Sequence, residues 1–176
     1  MVRIIFKQRK ELTMEKLKTL MVSSVLGLGL MSTAYAADDC IMVADLNVEF
    51  KNDSTVYMNG DERKEIAEFA DFLKKYDLYA IVEGHTSKFA TAPYNYDLSS
   101  KRAAKVRSEL IKLGVKSSQV GALGFGESSP LYDNNTEIGA QQNRRVIAEV
   151  FNSKAELSDY LASEKQRVAK IKFQEQ

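Results

Sequence analysis

Asn95, Ser99 and Arg102 are spaced i, i+4, i+7. On a helix they share one face, near its N-terminal end. Free backbone N–H groups and the helix dipole favour carboxylates there. An arginine offers a planar fork to two carboxylate oxygens. The chemistry suggested is carboxylate capture, weighed against the plainer reading of a solvated helix face. The surrounding segment is basic: Thr86–Val120 carries seven Lys or Arg against Asp97 and Glu109, and Arg144 and Arg145 add to that side. By contrast, Asp61–Asp77 holds four basic and six acidic residues. A local positive field favours an anionic ligand.

Other candidates for chemistry are thinner. His85 has Glu83 or Asp97 as an orienting carboxylate, the pairing a general base needs. No nucleophile motif accompanies it, so a structural histidine is the simpler reading, and no enzyme is expected. Gly124-Phe125-Gly126 is a fragment of a phosphate-binding loop, but Ser128-Ser129-Pro130 follows where a helix should open. Close backbone packing explains these glycines better. One His and one Cys in 176 residues are too few for a Cys/His zinc site. Neither metal nor cofactor is expected.

The elements that must position these residues follow from periodicity. Leu46, Val48 and Phe50 alternate with Asn47 and Glu49, as in a half-buried strand. Asn59-Gly60-Asp61 marks a turn, and Ile66, Phe69, Ala70 and Leu73 give a helix over Asp61–Lys75. Tyr79–Val82 is a buried strand ending at Gly84, with a polar loop over His85–Pro93. A second helix spans about Asn95–Leu113 and stops at Gly114. Val120–Phe125 and Val146–Phe151 are strands, with a loop over Gly126–Gln142 between them. The order β-α-β-α-β-β predicts an α+β, two-layer fold, with the helices on one face of a small mixed sheet. From Ala155 the pattern is helical, with Leu157, Leu161, Glu164, Val168 and Ile171 as a heptad-like stripe, too short for a coiled coil and expected to pack on the domain or form a partly ordered tail.

The chain divides unevenly. Lys16 and Lys18, the apolar run to Ala36 and the Ala34-Tyr35-Ala36 site describe a secretory signal peptide over residues 1–36. The alternative is a membrane anchor, since the run from Thr19 to Ala37 is uncharged. Met14 begins the basic region more naturally than Met1, which makes Met14 the expected start. Residues 37–42 are a short lead-in, 43–152 the domain and 153–176 a helical tail. Cleavage would leave no membrane-spanning run. Cys40 follows Asp39, a poor context for lipid attachment, and a tolerated thiol near a terminus is the simpler reading than a bridge to another chain. The overall charge of +1 argues against a nucleic-acid binder.

Four ordered motifs carry a resemblance. They are Gly84-His85-Thr86-Ser87, Tyr94-Asn95-x-x-Leu98-Ser99-x-x-Arg102-Ala103, Gly124-x-Gly126-Glu127-x-x-Pro130 and Asn143-Arg144-Arg145-Val146. Together they resemble the OmpA-like C-terminal domain family over about Val43–Phe151. The resemblance implies non-covalent peptidoglycan binding through the stem peptide, often at diaminopimelate. It implies a periplasmic location in a Gram-negative envelope, at the wall or outer membrane. By position, Arg102 would hold a diaminopimelate carboxylate. Asn95, Leu98 and Ser99 would line the pocket with the backbone of Thr86 and Ser87. Asn143 and Arg144 or Arg145 would close the other side. Two departures stand out. The family has Asp after Gly-His-Thr, where this chain has the uncharged Ser87, with Lys88 beside it repelling an amine. It also has Arg after the loop glycine, where Ala140 follows Gly139. These departures motivate an alternative: an envelope assembly component with weakened wall binding, meeting a protein partner through its tail.

Overall fold

The computed structural model describes the backbone of residues 4–6 and 42–171. Apart from Ile4–Phe6, the leader read over residues 1–36 lies outside the described residues, as does Cys40. The elements are β1 (Ile4–Phe6), β2 (Met42–Glu49), α1 (Asp61–Tyr76), β3 (Tyr79–Gly84), α2 (Ala92–Lys112), β4 (Val120–Gly124), α3 (Glu137–Asn143), β5 (Arg145–Phe151) and α4 (Lys154–Ile171). The sheet order is β1-β2-β5-β3-β4. Only β3 and β4 pair in parallel, and α2 is the crossover such a pair requires. The expected β-α-β-α-β-β order stands, with β1 added as an antiparallel edge on Met42–Ala44.

Strand alternation sorts the core into two faces. Val48, Ala80, Val82, Val120, Val146, Ala148 and Val150 meet Ile66, Phe69 and Leu73 of α1 and Ala103, Val106 and Leu110 of α2. Ile81, Leu123, Phe125 and Phe151 point the other way and are covered by Leu157 and Val168 of α4, with Tyr160 and Leu161 beside them. The two long helices within the domain, α1 and α2, share one face as expected, and the tail helix α4 covers the other. The heptad-like stripe of the tail is turned onto the sheet, and Glu164, its polar interruption, pairs with Arg167 at 2.5 Å. Burying each large apolar side chain contributes about 1.5–3 kcal/mol, so this stripe is a docking face for the chain's own sheet.

The link between β4 and β5 is more ordered than a plain loop. Its end is α3, capped by Thr136, whose Oγ1 accepts from the Gly139 N–H at 3.0 Å. Short polar segments such as Asn134–Glu137 carry helix-start residues without an apolar period, so the pattern read them as loop.

Two glycines set the distance between α2 and the strand ends. A Cβ at Gly84 would lie 2.0 Å from the Ser99 carbonyl oxygen, and one at Gly124 would lie 2.2 Å from Ser100 Oγ and 2.5 Å from Ser100 N. Only glycine permits this approach. It fixes the first two turns of α2 against the ends of β3 and β4.

A polar group is buried under α4. Tyr160 donates to Glu83 Oε1 at 2.6 Å, and burial pushes the Glu83 carboxyl up to about 7. His85 stacks on Phe125, ring centroids 5.3 Å apart, and burial pushes its pKa down to about 3, so it is neutral.

Gly124→Ala is expected to destabilise the domain by at least about 1–3 kcal/mol, because backbone rather than a flexible side chain must yield; chemical denaturation measures this. Glu83, with a folded pKa raised above the usual 4.5, contributes stability that is full below that value and is lost as pH rises toward about 7. Between those limits the melting temperature of the wild type should fall relative to Glu83→Gln, by roughly 5 °C or more.

Candidate functional site

A cavity of about 610 Å3 opens where the β2–α1 loop, the end of β3 and the start of α2 converge. Asn52 and Asp53 come from the first, Thr86 and Ser87 from the second, and Thr91, Tyr94, Asn95, Leu98 and Arg102 from the third. Arg144, just before β5, completes it. The N-terminal end of α2 thus faces the cavity through Asn95 and Arg102 of the i, i+4, i+7 set, and its first turn carries no acidic residue of its own.

Arg102 lies at the floor of this cavity with 0% of its surface exposed. Its Nε donates to the Ser54 carbonyl at 2.9 Å, its NH2 to Lys51 at 3.1 Å and its NH1 to His85 at 3.5 Å. The guanidinium also sits 5.2 Å from the centre of the Phe50 ring. Lys105, one turn along, donates to the Thr55 carbonyl at 2.7 Å and lies over the Tyr57 ring. Between them the two cations hold the whole 51–57 loop, which is also closed by Lys51 N–H to Val56 O at 2.9 Å. Burial, and then the charge of Arg144, push Arg102 down to about 10, so it remains a cation at neutral pH. Among the described residues no carboxylate hydrogen-bonds it. A buried charge without a hydrogen-bonded counter-ion is costly, and an anion in the cavity would relieve that cost.

The other polar groups refine the picture. The Thr86 hydroxyl is buried and has no hydrogen-bond partner. Asn95 donates to the Ala90 carbonyl at 3.1 Å and to Glu127, bracing the 88–93 loop. Tyr94 donates its hydroxyl to Asp53 Oδ1. Lys88 turns away: its Nζ donates to Asn135 Oδ1 at 2.6 Å, and it lines a separate hollow on the far side of the 88–93 loop. Lys88 is not among the residues that line this cavity.

Of the nine residues read as the site, six line the cavity: Thr86, Ser87, Asn95, Leu98, Arg102 and Arg144. Three do not. Ser99 is fully buried, accepting from the Gly126 N–H at 2.9 Å and donating to the Tyr96 carbonyl at 2.8 Å. Asn143 is spent on the 131–134 loop, accepting from Leu131 and Tyr132 N–H and donating to Tyr132 O and Asn134 Oδ1. Arg145 begins β5, so alternation sends it to the α4 side, where it donates to the Ser129 carbonyl at 3.3 Å. Arg144, not Arg145, lines the cavity. His85 is likewise on the α4 side, 3.8 Å from Glu83, while Asp97 pairs with Lys101 at 2.6 Å. No base–orienter–nucleophile set forms around it among the described residues.

Asn52 and Asp53 were missed. The Asn52-Asp53-Ser54 triplet is a turn signal, but nothing in one sequence places that turn beside a helix fifty residues on. Tyr94 and Thr91 fell within the quoted helix motif and its lead-in without being read as lining.

Comparisons with known proteins now bear on this architecture. The OmpA family profile matches residues 50–144. Outer membrane porin F of Pseudomonas aeruginosa is 40% identical over 121 residues, 65% of this chain and 34% of that protein. A peptidoglycan-associated lipoprotein of Mesorhizobium japonicum is 32% identical over 122 residues, 69% of this chain and 71% of that one. The crystal structure of the peptidoglycan-associated lipoprotein from Burkholderia pseudomallei superposes with a TM-score of 0.56 at 30% identity, covering 59% of this chain and 88% of that one. The chain spans about a third of the length of the porin F relatives. With four ordered motifs, the same sheet and helices, and this matched extent, the chain belongs to the OmpA family.

Proposed function

We propose that this protein binds peptidoglycan non-covalently and without enzymatic turnover, by holding a stem-peptide carboxylate, that of diaminopimelate, in the cavity at the start of α2. The carrying observation is Arg102: a buried cation whose hydrogen bonds, among the described residues, all go to carbonyl oxygens, beneath a cavity that also holds Arg144 and a Thr86 hydroxyl without a hydrogen-bond partner there. The relatives called peptidoglycan-associated lipoproteins support the same ligand class. Relatives named as outer-membrane proteins support an envelope location. The periplasm fits that location and the leader over residues 1–36, with Met14 as its start. Among the described residues no helix is long and apolar enough to cross a membrane. A protein partner reached through the tail would use the outward side of α4, because its apolar stripe is already packed on the sheet.

Co-sedimentation with purified sacculi tests this. Losing a hydrogen bond to a charged group costs about 1.5–3 kcal/mol, so Arg102→Ala should weaken recovery by roughly tenfold or more. Arg102 also holds the 51–57 loop, so Arg144→Gln is the companion variant. It leaves the Arg102 bonds in place and should still lose several-fold. Equal pelleting of wild type and both variants overturns the assignment.

A further inference from the structure

The 88–93 loop, between β3 and α2, is held from several sides. Lys88 donates to Asn135 Oδ1 at 2.6 Å. The Asn95 side chain donates to the Ala90 carbonyl at 3.1 Å and to Glu127, and its N–H donates to the Thr91 carbonyl at 2.9 Å. Pro93 removes backbone freedom where the helix begins. Phe89 stands on this braced ridge with 67% of its surface exposed, and neither apolar cluster of the domain includes it. Single exposed apolar side chains are common, and Val56 and Tyr76 are exposed too. Phe89 differs from them in where it stands.

With Ala90 and Thr91, Phe89 forms a wall shared by the cavity that holds Arg102 and by the second hollow beyond the loop. That hollow has a volume of about 710 Å3, inside the span of small-molecule sites, about 300–1,000 Å3. Its lining is unlike that of the first. Phe89, Ala90, Ala92 and Pro93 give an apolar surface, and Lys88 and Glu127 supply one basic and one acidic group. The first cavity, with Arg102 and Arg144, draws a charged end group. The second has no such bias of charge, and suits a neutral ring with an apolar face and hydrogen-bonding groups at its edge. The Lys88 ammonium has three donors, and Asn135 takes one of them, so donors remain for hydroxyl or acetamido oxygens.

We propose that this second hollow is a saccharide subsite, where the Phe89 ring packs on the apolar face of the N-acetylated sugar that carries the stem peptide. This rests on the wall-binding reading and extends it from the peptide to the glycan. A pyranose presents C–H groups on one face, and laying them on an aromatic ring removes apolar surface from water. Because the loop is already braced, little ordering entropy is lost when the sugar settles on it. The stem peptide and its sugar are covalently continuous, as the two hollows are adjacent across one shared wall. Phe89 is then a specificity-determining residue: it lets the domain distinguish peptide still attached to glycan from peptide cut away from it.

The test is calorimetric titration of the full chain with two probes: a diaminopimelate-containing disaccharide tetrapeptide, and the same tetrapeptide released from its sugars by an amidase. The wild type should bind the disaccharide form about tenfold more tightly, the scale of one well-packed aromatic contact. Phe89→Ala should lose that preference, binding the disaccharide form about tenfold more weakly and the free tetrapeptide within about twofold of wild type. Phe89 is exposed, so folding should be preserved, and a thermal melt checks it. Phe89→Trp should keep the preference, since a flat ring is retained. Equal wild-type affinity for the two probes, or a preference that survives in Phe89→Ala, overturns the saccharide subsite and leaves wall binding intact. An equal loss on both probes also overturns it, by placing Phe89 on the peptide. A wild type that binds neither probe overturns the wall-binding reading itself, and the subsite with it.

Discussion

The buried guanidinium of Arg102 is the contact on which the cavity depends. One planar group reaches the carbonyls of Lys51 and Ser54 in the β2–α1 loop and of His85 after β3, and lies over the ring of Phe50. Three segments far apart in sequence meet on a side chain that itself needs charge compensation. A lysine would not serve, since a point charge cannot address three carbonyls in fixed directions. Arg102 can reach them because α2 lies unusually close to the sheet, and it lies close because Gly84 and Gly124 present no side chain to Ser99 and Ser100. The chain of causes runs from two missing methyl groups, through helix placement, to a loop held at the rim of a cavity.

The second feature is separation of duties by strand alternation. Along β3, Ala80 and Val82 serve the α1–α2 side, while Ile81 and Glu83 serve the α4 side. Continuing that alternation puts His85 under α4 and leaves Thr86 at the cavity. Arg144 and Arg145 divide in the same way. Adjacent residues of one polar motif therefore do unrelated jobs. One member of each pair lines the cavity, and the other satisfies the buried layer on the α4 side.

Much of this was legible beforehand. Ile66, Phe69, Ala70 and Leu73 gave α1 because burial imposes a period close to 3.6, and Gly114, with φ of 95°, ended α2 where a left-handed residue was needed. Arg102 and Asn95 fell on one helix face by the same arithmetic. The illegible parts share one cause, which is that they are set by contacts distant in sequence. Periodicity gave the stripe of Leu157, Leu161 and Val168, but it could not say whether the stripe met the sheet or another protein. Ser99 and Asn143 matched site motifs, yet their side chains are consumed by neighbouring backbone. Asp53 sat in an ordinary turn signal until the loop was seen folded against α2.

The register of β2 against β5 has a mechanical consequence. Met42 pairs with Val150 at one end of the ladder and Glu49 with Arg145 at the other, and the cavity lies just past the Glu49–Arg145 end. Anything attached ahead of Met42 therefore leaves from the pole opposite the cavity. Tension between the two runs along the strands, so the inter-strand hydrogen bonds are loaded in shear and must yield together rather than peel one at a time.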